Sequence, residues 1–573
     1  MPSDVAKHVL NESHILLFLI QFFLLISSAK LLGLFFIRIK QPTVTADILV
    51  GVILGPTILG RLFPGVQDAI FPSDAYQVIM LDTVAWIGIF FLLLVTGLEV
   101  NFSSIWKHKG RALGIAVSDI IIPIILSLAV LIFLPDRYFI TPENRLLFIL
   151  FISTIMTISA MPVSIRVMQD LKLLRTDLGY LTISALSIND IIGWIVFTII
   201  LGIFTHGDPD LQYVAVLIAM TLLFVVLAIW IGIRWIDRII VAIKKHSYDT
   251  GYILAVVSSV GLLFGAITQR IGIHALFGFF IAGLVCGESK NLTENTRSTI
   301  GGMVNAVFVP VFFANIGLKI DILQSFDWFL VILLTVMGIG VRFIGAYAGC
   351  ILAKIPRAQH WPISALHTPG GEMHIVIATL ALELQLISEN IFVAIIVAAV
   401  LSSITLGPAL FIILRRVIPA TTVQISPHAA MELTSTEKYD ALQELSIKAA
   451  HLQHLDPQEV YSVTYEREDG MSTALERGIA IPHARMESVR RPAVILGRSL
   501  RGIDWDATDG LPAKLVFFIL TPADQSDKQL QIYSQLVGFL SVDKNRLALL
   551  ETEHIAEAVA ILNDRLRLKA ITG

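Results

Sequence analysis

The fold class this sequence predicts is an all-α polytopic membrane domain followed by a soluble α/β domain, and three observations carry it. The 573 residues are 55% hydrophobic and only 15% charged, far from a soluble profile. Apolar runs of roughly 17 to 25 residues, the length that crosses hydrocarbon, recur about thirteen times between Ser13 and Arg416. After Arg416 those runs stop and polar residues concentrate.

Taken in order, the expected spans are 13–37, 44–62, 81–99, 110–134, 145–169, 178–205, 211–241, 250–269, 273–288, 299–317, 326–354, 361–385 and 391–416. The first run follows Asp4, Lys7, His8 and Glu12 and lacks a small-residue cleavage site, so it reads as a retained span and not as a signal peptide. An odd number of spans puts the termini on opposite sides. Alternate loops carry the basic residues: Arg38 and Lys40; Lys107, Lys109 and Arg111; Lys172 and Arg175; Arg234, Arg238, Lys244 and Lys245; Lys290 and Arg297; Lys354 and Arg357; Arg415 and Arg416. The intervening loops hold Asp68 and Asp74, Asp136 and Glu143, Asp208 and Asp210, Asp321 and Asp327. Because cytoplasmic loops are the basic ones, this predicts an outside N-terminus and a cytoplasmic C-terminal domain, in a multi-pass protein of the cell (inner) membrane.

An internal repeat is readable. The second span contains Val50-Gly51-Val52-Ile53-Leu54-Gly55 and the ninth Ala282-Gly283-Leu284-Val285-Cys286-Gly287; the spans that follow end in Gly97-Leu98-Glu99 and Gly317-Leu318-Lys319. With the seventh span as connector, spans one to six pair with eight to thirteen. Six helices repeated across one extra crossing are inverted in the membrane, the architecture of alternating-access transporters.

Breaks fall in matching spans. The fifth reads Thr157-Ile158-Ser159-Ala160-Met161-Pro162 and the twelfth His367-Thr368-Pro369-Gly370-Gly371-Glu372. A proline removes a backbone donor and clashes one turn back, and Gly370-Gly371 relaxes the chain further, so freed carbonyls and half-helix ends can face the interior and bind a dehydrated cation. A lone proline in a span is more often a mere kink, whereas breaks in corresponding helices point to a site. The sixth span holds Asn189-Asp190, and an acid in hydrocarbon costs roughly 2.5 to 3.5 kcal/mol unless it faces a cavity or handles ions. Arg342 adds a fixed cation midway along the eleventh span.

Other signals exclude more than they assert. A net charge of -3 gives no basic patch for nucleic acid. Cys286 and Cys350 lie in apolar runs and suggest neither a disulfide framework nor a metal cluster. No cofactor and no metal beyond a transported monovalent cation is expected. His274, His360, His367 and His374 could sense pH, but hydrogen bonding within the bundle is the simpler role for them.

Gln41-Pro42 to Gly60, Gly97-Leu98-Glu99, Ser159 to Gly193, Val309-Pro310-Val311-Phe312-Phe313 with Gly317-Leu318, and Pro369-Gly370-Gly371-Glu372 together resemble the monovalent cation:proton antiporters, over nearly all of residues 13–416. The resemblance implies a homodimer, a moving core with two crossed, unwound helices, and a transport aspartate at Asp190. It makes Ser159, with Thr157 as fallback, the polar residue of the first break. Two departures bear on mechanism. Electrogenic relatives carry adjacent acids where this chain has Asn189 before Asp190, and an interior lysine where it has Arg342, which stays charged and carries no proton. With one titrating carboxylate, one cation and one proton balance, so electroneutral exchange is expected, sodium being put ahead of potassium. A ligand- or phosphorylation-gated potassium exchanger is the alternative. The partner of Arg342 is not legible, because Ala185 and Leu186 stand where related proteins carry an acid.

Residues 417–434, with Pro419, Thr421, Thr422, Ser426 and Pro427, read as a linker between a 1–416 membrane domain and a 435–573 C-terminal domain. In the latter, Ala493-Val494-Ile495-Leu496 and Leu515 to Leu520 read as strands. Tyr465-Glu466-Arg467-Glu468, Gly478-Ile479-Ala480-Ile481-Pro482-His483-Ala484-Arg485, Gly502-Ile503-Asp504-Trp505 and Thr521-Pro522-Ala523-Asp524 resemble the fructose/mannitol-type IIA domain of the bacterial phosphotransferase system. That resemblance implies His483 as phosphoacceptor with Arg467 beside it. The second histidine of that family is Gln529 here, which leaves phosphotransfer open against a sensor that binds a phosphocarrier, a nucleotide or another metabolite. A phosphotransferase sugar permease would need a soluble segment with a phosphorylatable cysteine, and neither cysteine is in one.

Overall fold

The computed structural model describes residues 11–572 apart from 40, 101–108, 141–144, 172, 175, 207–210, 247–249, 290, 418–424, 508 and 524–525. Asp4, Lys7, His8, Lys40, Lys107, Glu143, Lys172, Arg175, Asp208, Asp210, Lys290, Pro419, Thr421, Thr422 and Asp524 lie outside the described residues.

Every expected span contains helix. Among the described residues ten helices are long and apolar enough to cross a membrane, and Arg145–Ile155 and Ala275–Gly287 are shorter apolar helices. The spans at 145–169 and 361–385, in which breaks are expected, are each two half-helices, so thirteen ranges do not make thirteen full-length crossings. In chain order the membrane helices are α1 (Glu12–Arg38), α2 (Thr43–Leu54), α3 (Ala75–Glu99), α4 (Lys109–Leu131), α5 (Arg145–Ile155), α6 (Met161–Asp170), α7 (Asp177–His206), α8 (Leu211–Leu227), α9 (Ile233–His246), α10 (Thr250–Ile271), α11 (Ala275–Gly287), α12 (Glu294–Met303), α13 (Val309–Lys319), α14 (Trp328–Leu352), α15 (Arg357–Leu366), α16 (Gly371–Glu383) and α17 (Glu389–Val417). One π-helical turn over Ala228–Gly232 joins α8 to α9, and another over Val304–Phe308 joins α12 to α13.

The glycines of the repeat explain how the halves interlock. A Cβ on Gly51 would lie 2.0 Å from the Ala314 carbonyl oxygen, and one on Gly317 would lie 2.6 Å from the Val52 nitrogen. Likewise, a Cβ on Gly97 would come 2.2 Å from the Phe280 carbonyl oxygen, and one on Gly283 2.0 Å from that of Leu94. So α2 of the first half packs backbone to backbone on α13 of the second, and α11 of the second packs the same way on α3 of the first. Small residues permit such approach where lipid supplies no hydrophobic drive. A second set of helices, α4 to α7 with α14 to α17, packs around the two breaks. There α4 and α14 meet closely, with a Cβ on Gly345 falling 2.8 Å from Pro123.

The C-terminal domain is a sheet with helices on both faces. Its strands are β1 (Ala430–Glu432), β2 (Ala474–Leu475), β3 (Ile479–Ala480), β4 (His483–Met486), β5 (Ala493–Ile503) and β6 (Ala513–Pro522), in the order β1-β5-β6-β3-β2 with β4 also on β6. The helices are α18 (Lys438–Gln453), α19 (Pro457–Gly470), α20 (Ser526–Leu540), α21 (Asp543–Leu550) and α22 (Ile555–Thr572). Period-two alternation along β6 sends Phe517 to a core with Leu536 and Leu562, and Phe518 to the opposite one with Leu445, Val460 and Trp505.

The expected linker 417–434 needs correction at its C-terminal end. Ala430–Glu432 pairs in parallel with β5, and the buried Ile425 exchanges backbone hydrogen bonds with the Asn563 side chain. Those apolar and backbone groups are satisfied only inside the α/β unit, which therefore starts before residue 435.

Candidate functional site

Two helices stop in the middle of the bundle. Between α5 and α6 the chain unwinds over Met156–Ala160, and between α15 and α16 over His367–Gly370. The unwound segments cross. The Ala160 N–H donates to the Pro369 carbonyl at 2.8 Å, and the Ser159 hydroxyl to the His367 carbonyl at 3.2 Å. At the crossing Gly371 has φ +49, and a Cβ there would lie 2.3 Å from that of Ala160. Pro162 stands in the first turn of α6, where a missing N–H costs nothing, so it starts the second half-helix and is not itself unwound. Pro369 and Gly370 lie within the second break, with the Gly370 N–H donated to the Ser402 hydroxyl at 3.1 Å.

Unwinding leaves carbonyls without intrahelical partners, and a buried cation meets them. Arg342, fully buried on α14, donates from Nη1 to the Thr368 carbonyl at 2.9 Å and from Nη2 to the Ile158 carbonyl, one from each break. His374 Nε2 donates to the same Ile158 carbonyl at 3.0 Å. A planar fork is suited to bridging two fixed acceptors in this way. The arginine is thus pinned inside and does not snorkel.

Asn189 and Asp190 face this crossing from α7, at 0% and 1% exposure. Among the described residues neither carboxylate oxygen of Asp190 has a hydrogen-bond partner. The charges that act on it are those of Arg342, Glu99, Glu372 and Asp119. Asn189 Nδ2 donates to Asp119 Oδ2 at 3.2 Å, and His367 Nδ1 donates to the same oxygen at 2.8 Å. Asp119, on α4, is fully buried and acts electrostatically on Arg342 together with Asp190. It is the acid that the sequence left without a location. The sequence carried a signal for it, since Ser118-Asp119 interrupts an apolar span just as Asn189-Asp190 does.

Ser159 and Thr157 are fully buried, but their hydroxyls are committed to backbone: Ser159 to His367, and Thr157 to the Thr154 carbonyl at 2.8 Å. The four histidines are all engaged. His274 accepts from the Leu276 N–H at 3.3 Å, His360 donates to the Ile355 carbonyl at 2.7 Å, and His367 and His374 are bonded as above.

In the C-terminal domain, His483 opens β4 and is 1% exposed. Its Nδ1 lies 2.8 Å from the Ile481 carbonyl, which only accepts, so Nδ1 carries the proton and Nε2 presents a lone pair. Arg467 Nη2 lies 3.3 Å from that Nε2. Gln529 shares a small cavity with His483 and Tyr533, and that cavity is closed on its other side by Thr176, Asp177, Leu178 and Gln359 of the membrane domain.

Residues 23–416 match the family described as "Sodium/hydrogen exchanger, transmembrane", which is more than half of the chain. The chain belongs to the sodium/hydrogen exchanger family. Residues 428–565 match the "Phosphoenolpyruvate-dependent sugar phosphotransferase system, EIIA 2" family. Among curated relatives, Cation/H(+) antiporter 19 of Arabidopsis thaliana is 29% identical over 70% of this chain and 50% of its own length. The K(+)/H(+) antiporter 1 of Saccharomyces cerevisiae is 29% identical over 70% and 47%. The Na(+)/H(+) antiporter NhaS4 of Synechocystis sp. is 26% identical over 70% of this chain and 97% of its own. The chain spans about half the length of Cation/H(+) antiporters 19, 20 and 17 of Arabidopsis thaliana. The sodium proton antiporter MjNhaP1 of Methanocaldococcus jannaschii, at 15% identity and TM-score 0.56 over 70% of this chain and 99% of its own, shares the fold of the membrane domain.

Proposed function

We propose that this chain is a secondary active antiporter that exchanges a monovalent cation for a proton by alternating access, with Asp190 as the site for which the two compete. The observation that carries the reading is the Asp190 carboxylate, buried where two unwound helices cross and, among the described residues, with no hydrogen bond to either oxygen. A bare carboxylate there is costly, so it binds a proton or a cation, and crossing is open only to the neutralised forms. One proton or one monovalent cation on Asp190 adds the same single positive charge, so the loaded core carries the same net charge with either, whatever the charges of Arg342, Glu99, Glu372 and Asp119 around it. This supports one-for-one, electroneutral exchange, with sodium put ahead of potassium. Asn189 orients Asp119, Arg342 ties the breaks together, and the carbonyls of Thr157 and Ser159 are the further oxygen ligands available to a dehydrated cation.

The distribution of basic loops supports an outside N-terminus and a cytoplasmic C-terminal domain, and the family resemblance supports a homodimer. The C-terminal domain regulates exchange through the His483 site. The second reading is a potassium exchanger gated at that site, favoured by the likeness to a yeast K(+)/H(+) antiporter.

The test is cation-driven proton movement in liposomes, with sodium and potassium supplied separately, for intact protein, Asp190→Asn and a version ending near Ala420. Exchange that is abolished in Asp190→Asn and indifferent to clamped voltage is the expected result. Voltage-dependent exchange would overturn the stoichiometry. Exchange surviving in Asp190→Asn would overturn the site.

A further inference from the structure

The N-terminal turn of α7 reaches out of the bundle. Thr176 caps it, its hydroxyl oxygen accepting from the Gly179 N–H at 3.1 Å, and Asp177 follows as the first helical residue. Its carboxylate enters the C-terminal domain. Oδ1 accepts from Arg467 Nε at 2.8 Å, Oδ2 accepts from Arg485 Nε at 2.9 Å, and His483 Nε2 lies 3.5 Å from Oδ1. The Arg467 guanidinium also sits over the Tyr180 ring, 5.5 Å from its centre. Tyr180 lies one turn along α7, and Gly470 at the end of α19 approaches its hydroxyl so closely that a Cβ would lie 3.2 Å away.

Two guanidinium groups converging on one carboxylate, with an imidazole lone pair beside them, form the donor set of a phosphoryl oxyanion, which accepts several N–H bonds at once. Asp177 takes one N–H from each arginine, while Arg467 Nη1 donates to the Met471 carbonyl at 3.1 Å and Nη2 faces His483 Nε2. A second observation points to a larger anion. Gln529 is 5% exposed, lines the adjoining cavity and has no partner for its Nε2 among the described residues. A phosphoryl group brings about two negative charges, and two anions held within hydrogen-bonding distance of the same arginines repel each other. The pocket therefore holds the Asp177 carboxylate or a phosphoryl oxyanion, and not both.

We propose that Asp177 is an intramolecular latch: it occupies the anion pocket of the C-terminal domain, docks that domain on the helix that carries Asp190, and is displaced when a phosphoryl oxyanion takes its place. The domain also faces Gln169 and Asp170 at the end of α6 and Gln359 on α15, so it rests on the half-helices that form the crossing. Asp177 and Asp190 are thirteen residues apart on one helix, roughly 20 Å at the α-helical rise. Release therefore frees the end of the helix whose middle binds the ion. The oxyanion has two possible sources. Free phosphate would sit on the arginines alone. A covalently carried group would arrive from a phosphoramidate-type donor, the Nε2 lone pair forming the new N–P bond as the donor's N–P bond breaks and its electron pair leaves with the departing nitrogen. The effect on exchange rests on the antiport reading, whereas docking is read independently of it.

The experiment measures the distance between spin labels at Lys354→Cys and Ser462→Cys in the full-length, detergent-solubilised chain. Wild type gives one short distance. Asp177→Asn and Arg485→Gln each raise the separated population at least tenfold, and the double variant raises it no further than either alone. Inorganic phosphate added to wild type does the same, relative to chloride at equal ionic strength, if the free anion is the ligand, and does so in His483→Gln as well. If the group is carried on histidine, phosphoramidate separates the labels, adds one phosphoryl mass to the protein, and does neither in His483→Gln. A docked distance unchanged in Asp177→Asn, or unmoved by both phosphate and phosphoramidate, overturns the latch. Asp190→Asn, which removes exchange and leaves the distance as in wild type, separates failure of the antiport reading from failure of the latch.

Discussion

Asp177 and Asp190 stand on the same helix, and their surroundings are opposite. Asp177 meets two guanidinium groups and an imidazole, with each oxygen bonded to an arginine. Asp190 is more deeply buried, and neither of its oxygens is hydrogen-bonded among the described residues. A carboxylate with its bonds made is a structural tie, stable until a better anion competes. A carboxylate with none is unfinished chemistry that a proton or a cation completes. The contrast teaches that burial alone does not distinguish the two aspartates, and that unmet hydrogen-bonding capacity among the described residues does.

The most severe way to probe the contrast is Asp190→Asn. It abolishes exchange while the melting temperature stays within a few degrees of wild type, because no protein hydrogen bond is lost. A large drop in melting temperature would mean that Asp190 has a structural partner after all. Next in size is Arg342→Ala, which strips the Ile158 and Thr368 carbonyls of their donor and leaves Asp119 without its buried countercharge. It costs about 3–5 kcal/mol of stability in chemical unfolding, and Arg342→Lys recovers only part, since an ammonium cannot fork to both breaks. Asp119→Asn loses about 1–3 kcal/mol and slows exchange without abolishing it. Complete loss of exchange with unchanged stability would make Asp119 a second carrier and shift the stoichiometry away from one for one.

The smallest effect lies far from both aspartates. Burial works to raise the Glu444 carboxyl, but hydrogen bonds from Ser435 and Thr434 outweigh it and hold the group below the ordinary glutamate range. A depressed carboxyl contributes stability that is present above its unfolded pKa and lost as pH falls through the folded one. Glu444→Gln therefore flattens the acid-unfolding curve of the C-terminal domain only below about pH 4.5, seen by circular dichroism, and leaves exchange at neutral pH untouched.

The membrane architecture was largely legible because its grammar is local. Long apolar runs, paired glycine motifs and paired breaks declare themselves within single stretches of chain, and each expected span contains helix. Pro162 flags its break from the side: a proline marks a break as readily by starting the next half-helix as by standing in the gap. The C-terminal end of the 417–434 stretch reads as linker because the chain before Thr434 is polar on both sides of a three-residue strand, whose partner β5 lies more than sixty residues away. Ser159 and Thr157 were named as polar residues of the break, and their hydroxyls went to the nearest free carbonyls, as unwinding made those available.

By itself the sequence determined the two-part architecture, the inverted order of its motifs, the positions of the breaks, and Asp190, Arg342, His483 and Arg467 as residues needing an explanation. These follow from composition, periodicity and the cost of a charge in hydrocarbon, all of which act along the chain. Only the tertiary structure decided that Asp119 meets Asn189 and His367, that Arg342 spans both breaks, and that Asp177 enters the pocket of His483. Each of these joins residues from separate helices or separate domains. Their pairing is set by how backbones pack and which buried polar groups remain to be satisfied, which no local pattern encodes.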